Sequence, residues 1–270
     1  MSAVRTFFLM YGRNMRQMPR IPVVLVFGIV MPVIQLLLFG ALFSSITELP
    51  AFDAAWPDVN YRAYIAPAIM LFTVFVGMAN STAALIVDLR TGYFDKLRTT
   101  PARPSQVIVA RLLAEMTRVF FQGLLVLLLS LSLGATVITG PLGALVMLLL
   151  AVFFSGCTAG LAVMALSMKT KSDQATQSAF PLFFVLLFLS SAFQAIDAMP
   201  EWLQTVVKYN PVNYLIEVLR QLMVGVNVDG EMVAKWPVVD MLIIVGVSIV
   251  AAALLGLLNL RVYRSSVANR

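Results

Sequence analysis

Apolar residues along this 270-residue chain gather in unbroken runs separated by short polar stretches. The runs have the length, roughly 20 residues, that a helix needs to cross a hydrocarbon core. They predict six spans, at 21–44, 63–87, 112–134, 142–166, 179–196 and 238–261, of which the fifth is the shortest. None alternates polar and apolar positions as a lipid-facing strand does, and a helix satisfies its own backbone groups in lipid, so the pattern predicts an all-α integral membrane fold. Ahead of the first run, Val4, Phe8, Tyr11, Met15 and Met18 recur at helical spacing, with Arg5, Arg13, Arg16 and Arg20 on the opposite face. Residues 1–20 therefore read as an interfacial amphipathic helix. The run after them, Ile21 to Phe43, is longer than the apolar core of a signal peptide and has no evident small-residue cleavage site, which makes it a retained span.

Composition agrees with lipid as the solvent. Hydrophobic residues make up 60% of the chain and charged residues 12%, against about 45–50% and about 25% in soluble domains. No tandem repeat or low-complexity linker divides the chain, so residues 1–270 read as one membrane domain. The net charge of +6 does not point to nucleic acid, because the basic residues flank the apolar runs and form no polar domain of their own. With the N-terminus inside, only Arg62, Lys208, Arg220 and Lys235 of the 19 basic residues fall in the outer pieces. That bias places both termini in the cytoplasm. The absence of His and the single Cys157 exclude a disulfide, a clustered Cys/His metal site and His-based acid–base chemistry.

Two polar segments are longer than connectors need to be. In the inner one, residues 88–104, Gly92 interrupts the preceding helix and Pro101 and Pro104 end a short one spanning Tyr93 to Thr99; Ser105 is placed to cap the next. Tyr93, Phe94 and Leu97 interleave with Asp95, Lys96 and Arg98, a surface suited to a partner's groove, although an ordinary basic loop accounts for the spacing equally well. In the outer segment, residues 197–237, Asn210 is placed to cap a helix that starts at Pro211 and runs to about Met223. Leu215, Val218, Leu219 and Leu222 form its apolar stripe, too short for a crossing, so a pair of short helices dips into the outer leaflet or packs over the bundle.

These segments, in this order around these spans, resemble the permeases of the ABC type-2 exporter family, including drug-resistance permeases of the daunorubicin type. The matching residues are Asp88, Gly92, Leu97, Thr100 and Pro101 inside, then Pro200, Trp202, Leu203, Asn210, Pro211, Tyr214, Glu217 and Arg220 outside. Family members often carry Glu where this chain has Asp88 and Asp95. The resemblance implies a coupling helix, with Asp88, Gly92, Phe94, Asp95, Leu97, Arg98 and Pro101 at the contact with a separate ATPase. It implies re-entrant outer helices, with Asn210, Pro211, Tyr214, Glu217, Leu219 and Arg220 as an outer gate. It also implies a complete transporter of two permease chains, identical or different, and two ATPases. The chain contains no G-x-x-x-x-G-K-[ST] sequence to cradle phosphates, so ATP and magnesium belong to the partner and this chain is not an enzyme alone.

Four constellations keep two readings each. Arg111, Glu115, Arg118 and Gln122 share one helical face, either at the membrane interface or as a buried functional triad, with Glu115 able to pair with either arginine. Gly156-Cys157-Thr158-Ala159-Gly160 suits close helix approach within the chain or at a dimer seam. Phe180, Phe183, Phe184 and Phe188 line a cargo cavity or pack against lipid and core. Gln35, Asn80, Ser81 and Thr82 face a cavity or bond internally. The function expected is export of a hydrophobic or amphipathic small molecule, drug or lipid-like, across a bacterial inner membrane. Export of a lipid-linked polysaccharide or teichoic-acid precursor is the alternative; an ion-coupled carrier and a structural subunit rank lower, because acidic residues are nearly absent from the span centres.

Overall fold

The computed structural model describes residues 3–17, 22–48, 59–80, 85–86, 88, 91, 104–172, 180–193, 196, 199–225 and 236–268. Among the described residues every regular element is helical. We number the helices α1 (Ala3–Gln17), α2 (Pro22–Leu42), α3 (Tyr61–Asn80), α4 (Pro104–Ser132), α5 (Gly140–Ser155), α6 (Leu161–Thr170), α7 (Phe180–Phe188), α8 (Glu201–Lys208), α9 (Pro211–Val224) and α10 (Val238–Ala268). A π-helical turn, Gly156–Gly160, joins α5 to α6 into one continuous rod. Four stretches among the described residues are long and apolar enough to cross a membrane: Tyr61–Ala79, Ser105–Ser132, Gly140–Thr170 and Val238–Tyr263. The shortest has 19 residues, which at about 1.5 Å per residue spans about 30 Å.

Helix α3 is the centre of the bundle. In its most apolar stretch 83% of the residues are buried, against 11% for α10, whose sides stay open to the surroundings. Asn60 starts α3 by accepting the Arg62 amide at 2.9 Å, the usual way of satisfying an orphan donor at a helix N-terminus. The main core runs along α3 through Tyr64, Met70, Leu71, Val74 and Met78, meeting α4, α5 and α9. A second cluster lies at one end, where Met10 of α1 meets Leu85, Ile108, Met164, Met168 and Tyr263. We call this the α1 end and the opposite one the α9 end. Because lipid tails are as apolar as Leu, burying these side chains gains little from solvent exclusion, and close packing with polar links must hold the helices together. The small-residue motif serves that packing. A Cβ on Gly156 would sit 2.8 Å from Met116 Sδ, and one on Gly160 2.4 Å from Met78 Cε, so both glycines admit neighbouring helices of the same chain.

Several expectations change. The first helix runs over Ala3–Gln17, but Arg13 turns inward from the face assigned to water. Phe7 and Met10 pack against the bundle, whereas Val4 and Phe8 of the expected stripe stay exposed. Pro104 and Ser105 both lie inside α4, so Ser105 is not its cap. The fourth and sixth spans extend to Thr170 and Ala268. The fifth run is no single helix over 179–196, since α7 ends at Phe188 and the chain turns through Leu189–Ala192. Helix α2, with Pro32 within it, covers nearly all of the first expected run.

Candidate functional site

At the α1 end, one carboxylate joins three parts of the chain. Asp88, buried, accepts from Arg13 of α1 at 2.5 and 3.2 Å and from Arg111 of α4 at 3.1 Å. About two turns further along α4, Arg118 Nε donates to Glu115 at 2.9 Å and its Nη2 to the carbonyl of Gly77 at 2.6 Å. A Cβ at Gly77 would stand 2.5 Å from Val119, so only a glycine lets α3 approach α4 closely enough for that bond. Tyr11 meets Thr117 at 2.9 Å; since Thr117 donates to Leu113, the tyrosine hydroxyl is the donor. Arg111, Glu115, Arg118 and Gln122 are all buried among the helices, and Glu115 accepts from Arg118. Paired arginines and carboxylates are the form in which charges persist inside a membrane protein.

At the α9 end, polar side chains repair a broken backbone. Beyond Phe188 the chain leaves helical geometry in a buried place, so its amides and carbonyls need partners from elsewhere. Asn210 Nδ2 donates to the carbonyls of Leu186 and Leu189, each at 2.6 Å, while its Oδ1 accepts the Val212 amide at 2.9 Å and caps α9. Asn213 accepts the Ser191 amide at 2.7 Å. Tyr61 and Tyr64 hydroxyls donate to Phe193 and Ser191 carbonyls at 3.2 and 3.1 Å. Arg220 donates to the carbonyls of Ser191 at 2.7 Å and Tyr64 at 3.3 Å, and its guanidinium lies 3.9 Å from the centre of the Tyr64 ring. The far end of α9 is closed by the link between α4 and α5, where the Ile138 amide and Thr139 hydroxyl donate to the Met223 and Leu222 carbonyls. The expected cap at Asn210 and apolar stripe at Leu215, Val218, Leu219 and Leu222 are both present, and the stripe is packed into the bundle.

A narrow, open groove is lined by Gln35 and Phe39 of α2, Phe72 of α3, Phe184 and Phe188 of α7, and Phe193. It brings together three of the expected wall residues, Gln35, Phe184 and Phe188. Phe184 packs edge-on against Phe72 at 5.6 Å and lies 4.7 Å from Phe188, which stacks on Phe193 at 4.9 Å. Both α7 rings are also partly open to the outside.

Of the remaining expected residues, Gly92, Phe94, Asp95, Leu97, Arg98 and Pro101 lie outside the described residues, as do Ser81, Thr82 and the side chains of Asn80, Phe180 and Phe183. Tyr214 is exposed, Pro211 opens α9, Leu219 is fully buried, and Glu217 accepts from Asn213 at 2.6 Å. Three important residues are absent from the sequence reading. Tyr64 and Ser191 hold Arg220 from outside its own segment. Asn259 of α10 donates to the Leu161 carbonyl, just past the π turn, at 2.9 Å. A lone Asn inside an apolar run is the signal that could have found it.

The fold and these polar links define a multi-pass helical membrane protein. The sequence profile of the ABC-2 type transporter family matches residues 5–224, and the chain belongs to that family. It is 30% identical over 222 residues to a protein of Cyanophora paradoxa named as transport permease ycf38, covering 81% of this chain and 74% of that one. It is likewise 30% identical over 221 residues to the daunorubicin resistance ABC transporter permease protein DrrB1 of Streptomyces coeruleorubidus, covering 79% and 73%. A protein of Escherichia coli K12 named as multidrug ABC transporter permease YbhR is 20% identical over 183 residues, covering 67% and 49%. The family is one of membrane transport permeases, so this chain is a transport subunit.

Proposed function

We propose that this chain is the permease of an ATP-driven exporter that moves hydrophobic or amphipathic small molecules out across a bacterial inner membrane. In this reading it crosses six times with both termini in the cytoplasm, α2 forming the first crossing and α7 with its following turn the fifth. A second permease chain completes the pathway, and two ATPase subunits supply ATP and magnesium. Residues 88–104 couple to the ATPase, and Asp88, tied to α1 and α4, carries that motion into the bundle. Helix α9 covers the exit, with Leu219 and Arg220 as its fixed points. The observation that carries the cargo assignment is the groove in which Gln35 meets the rings of Phe184 and Phe188. Such a wall suits a cargo that brings its own apolar surface better than a hydrated ion, which needs polar groups to replace its water.

The test is reconstitution with the co-purifying ATPase, with complex yield, ATP turnover and transport measured separately. Phe184→Ala and Phe188→Ala should alter cargo preference more than basal ATP turnover, Phe94→Ala with Leu97→Ala should weaken assembly or coupling, and Leu219→Pro should impair export while the ATPase still binds. Unchanged transport of every effective cargo in both α7 variants removes the wall assignment. Failure of any ATPase to co-purify removes the exporter.

A further inference from the structure

The rod formed by α5 and α6 is regular except at Gly156–Gly160, where the Leu161 amide reaches back past the usual fourth residue to the Gly156 carbonyl. Such a turn houses one residue more than an α-helix does, and π turns inside helices fall frequently at functional positions. Its place in the fold coincides with a change of packing partners. Before it, Met147, Leu148, Ala151 and Phe154 of α5 belong to the main core, as does Ala159 within the turn. After it, Leu161, Met164 and Met168 of α6 belong to the cluster at the α1 end. The rod thus passes from one hydrophobic cluster to the other within two residues, and it does so where its hydrogen bonding is irregular.

The surroundings of the turn are soft. The places where Gly156 and Gly160 lack a Cβ are taken by Met116 and Met78, and methionine, unbranched and flexible, repacks readily. Two buried polar atoms beside the turn have no hydrogen-bond partner among the described residues: Ser155 Oγ, immediately before it, and Asn259 Oδ1 of α10. The other side-chain atom of that asparagine is engaged, since Asn259 Nδ2 donates to the Leu161 carbonyl at 2.9 Å and to the Leu255 carbonyl of its own helix at 2.8 Å. Unpaired buried groups cost the observed arrangement free energy, and a small displacement that gives either one a partner is favoured accordingly.

We infer that the π turn is a hinge: α6 moves with the α1-end cluster while α5 stays with the main core, and Asn259 pins the position in this structure by holding the Leu161 carbonyl. The hinge belongs to the chain itself and stands whether or not the exporter reading does. Within that reading it lets a displacement at the α1 end proceed without unpacking α5 from α9, its neighbour in the main core.

Hydrogen exchange at single amides of the full chain in nanodiscs, corrected for each residue's intrinsic rate, reads a hinge as a boundary between two opening units. In wild type the amides of Leu161 to Met168 should exchange about tenfold faster than those of Met147 to Phe154, with the step at the turn. Helix α10 follows both halves of the rod without a break and is the control. A step of equal size in α10 at the level of Asn259 makes the difference one of depth in the membrane and overturns the inference, and so does a rod with no step. Deleting Thr158, the one residue of the turn that is not buried, removes the extra residue and restores α-helical bonding while both flanks keep their faces. The step should then fall below about twofold, with α5 at its wild-type rates as the sign of an intact fold. Retention of the full step on that intact fold overturns the hinge. Asn259→Leu leaves the turn in place and decides the matter even where the deletion variant does not fold: α6 should exchange about fivefold faster, the value of one neutral hydrogen bond, with α5 unaffected. No rise in α6, or an equal rise on both sides of the turn, overturns the inference.

Discussion

The two ends of the bundle use buried polar groups in opposite ways. At the α1 end, among the described residues, the polar side chains bond chiefly to one another, Asp88 to Arg13 and Arg111 and Glu115 to Arg118. At the α9 end the chain is interrupted after Phe188, and Asn210, Asn213, Tyr61, Tyr64 and Arg220 bond chiefly to backbone. The first arrangement cross-links rigid rods; the second replaces the water that a broken backbone would otherwise need. Their responses to substitution should differ accordingly. Side-chain pairs can be removed together, because both partners leave at once. Backbone groups cannot be removed, so no second substitution should compensate for the loss of the side chain that serves them.

The largest effect is expected at the α1 end. Glu115→Leu leaves the Arg118 guanidinium buried without its carboxylate and should cost about 3–5 kcal/mol of unfolding free energy, the usual result of breaking a buried pair from one side. Arg111→Leu falls in the same class, because Asp88 loses its buried partner. The double change Glu115→Leu with Arg118→Met should recover part of the loss, that due to the unpaired charge, while the bond to the Gly77 carbonyl stays lost, measured by denaturant titration in mixed micelles. A double variant as unstable as the single one would place the α1 end in the same category as the other and dissolve the contrast.

At the α9 end, Arg220→Met removes two bonds to backbone carbonyls and the contact with the Tyr64 ring, and should cost about 3 kcal/mol. Adding Tyr64→Phe should give no recovery, since the Ser191 carbonyl then loses both of its donors. Asn210 allows a finer division. Asn210→Asp keeps an oxygen for the Val212 amide but loses the Nδ2 donor to Leu186 and Leu189, so a loss of about 2 kcal/mol is expected although the cap survives. A neutral Asn210→Asp variant would mean that capping alone is the residue's role and that the break after Phe188 is satisfied by other means.

What could be read from the sequence follows the same division. Local patterns were legible: the apolar runs, the Asn210-Pro211 helix start and the stripe Leu215, Val218, Leu219 and Leu222 all depend on residues within a few positions of one another. The grouping of Arg111, Glu115, Arg118 and Gln122 on one face was legible too, but not whether that face met water or protein. That depended on Asp88 and Gly77, which come from another part of the chain. Hydropathy likewise continued the fifth run past Phe188, since Ala192 and Phe193 are as apolar as what precedes them. The stop is set by side chains 20 or more residues away in sequence, Asn210 as donor to the Leu189 carbonyl and Asn213 as acceptor of the Ser191 amide. The groove was legible as a set of candidates, Gln35, Phe184 and Phe188, yet not as a place, because Phe39, Phe72 and Phe193 complete it only after folding.

The smallest expected effect concerns the edge of the α1 end, where burial gives way to water. Asp88 bonds two arginines that differ in environment: the Arg111 side chain is 7% exposed and that of Arg13 is 32% exposed. Water screens the outer pair, and replacing Arg13 leaves Asp88 with its buried partner still in place, so Arg13→Gln should cost less than about 1 kcal/mol. Its effect should be local. Helix α1 keeps the contacts of Phe7 and Met10 and the Tyr11 bond to Thr117, so it should stay docked but open more often. Hydrogen exchange of the α1 amides, followed with and without added salt, can show this. Wild-type exchange should rise with salt as the Arg13–Asp88 pair is screened, while Arg13→Gln should start faster and respond less. Equal salt sensitivity in the two proteins would mean that Arg13 does not hold α1. A loss of global stability as large as that of Arg111→Leu would mean that the rim pair is as fully desolvated as the inner one.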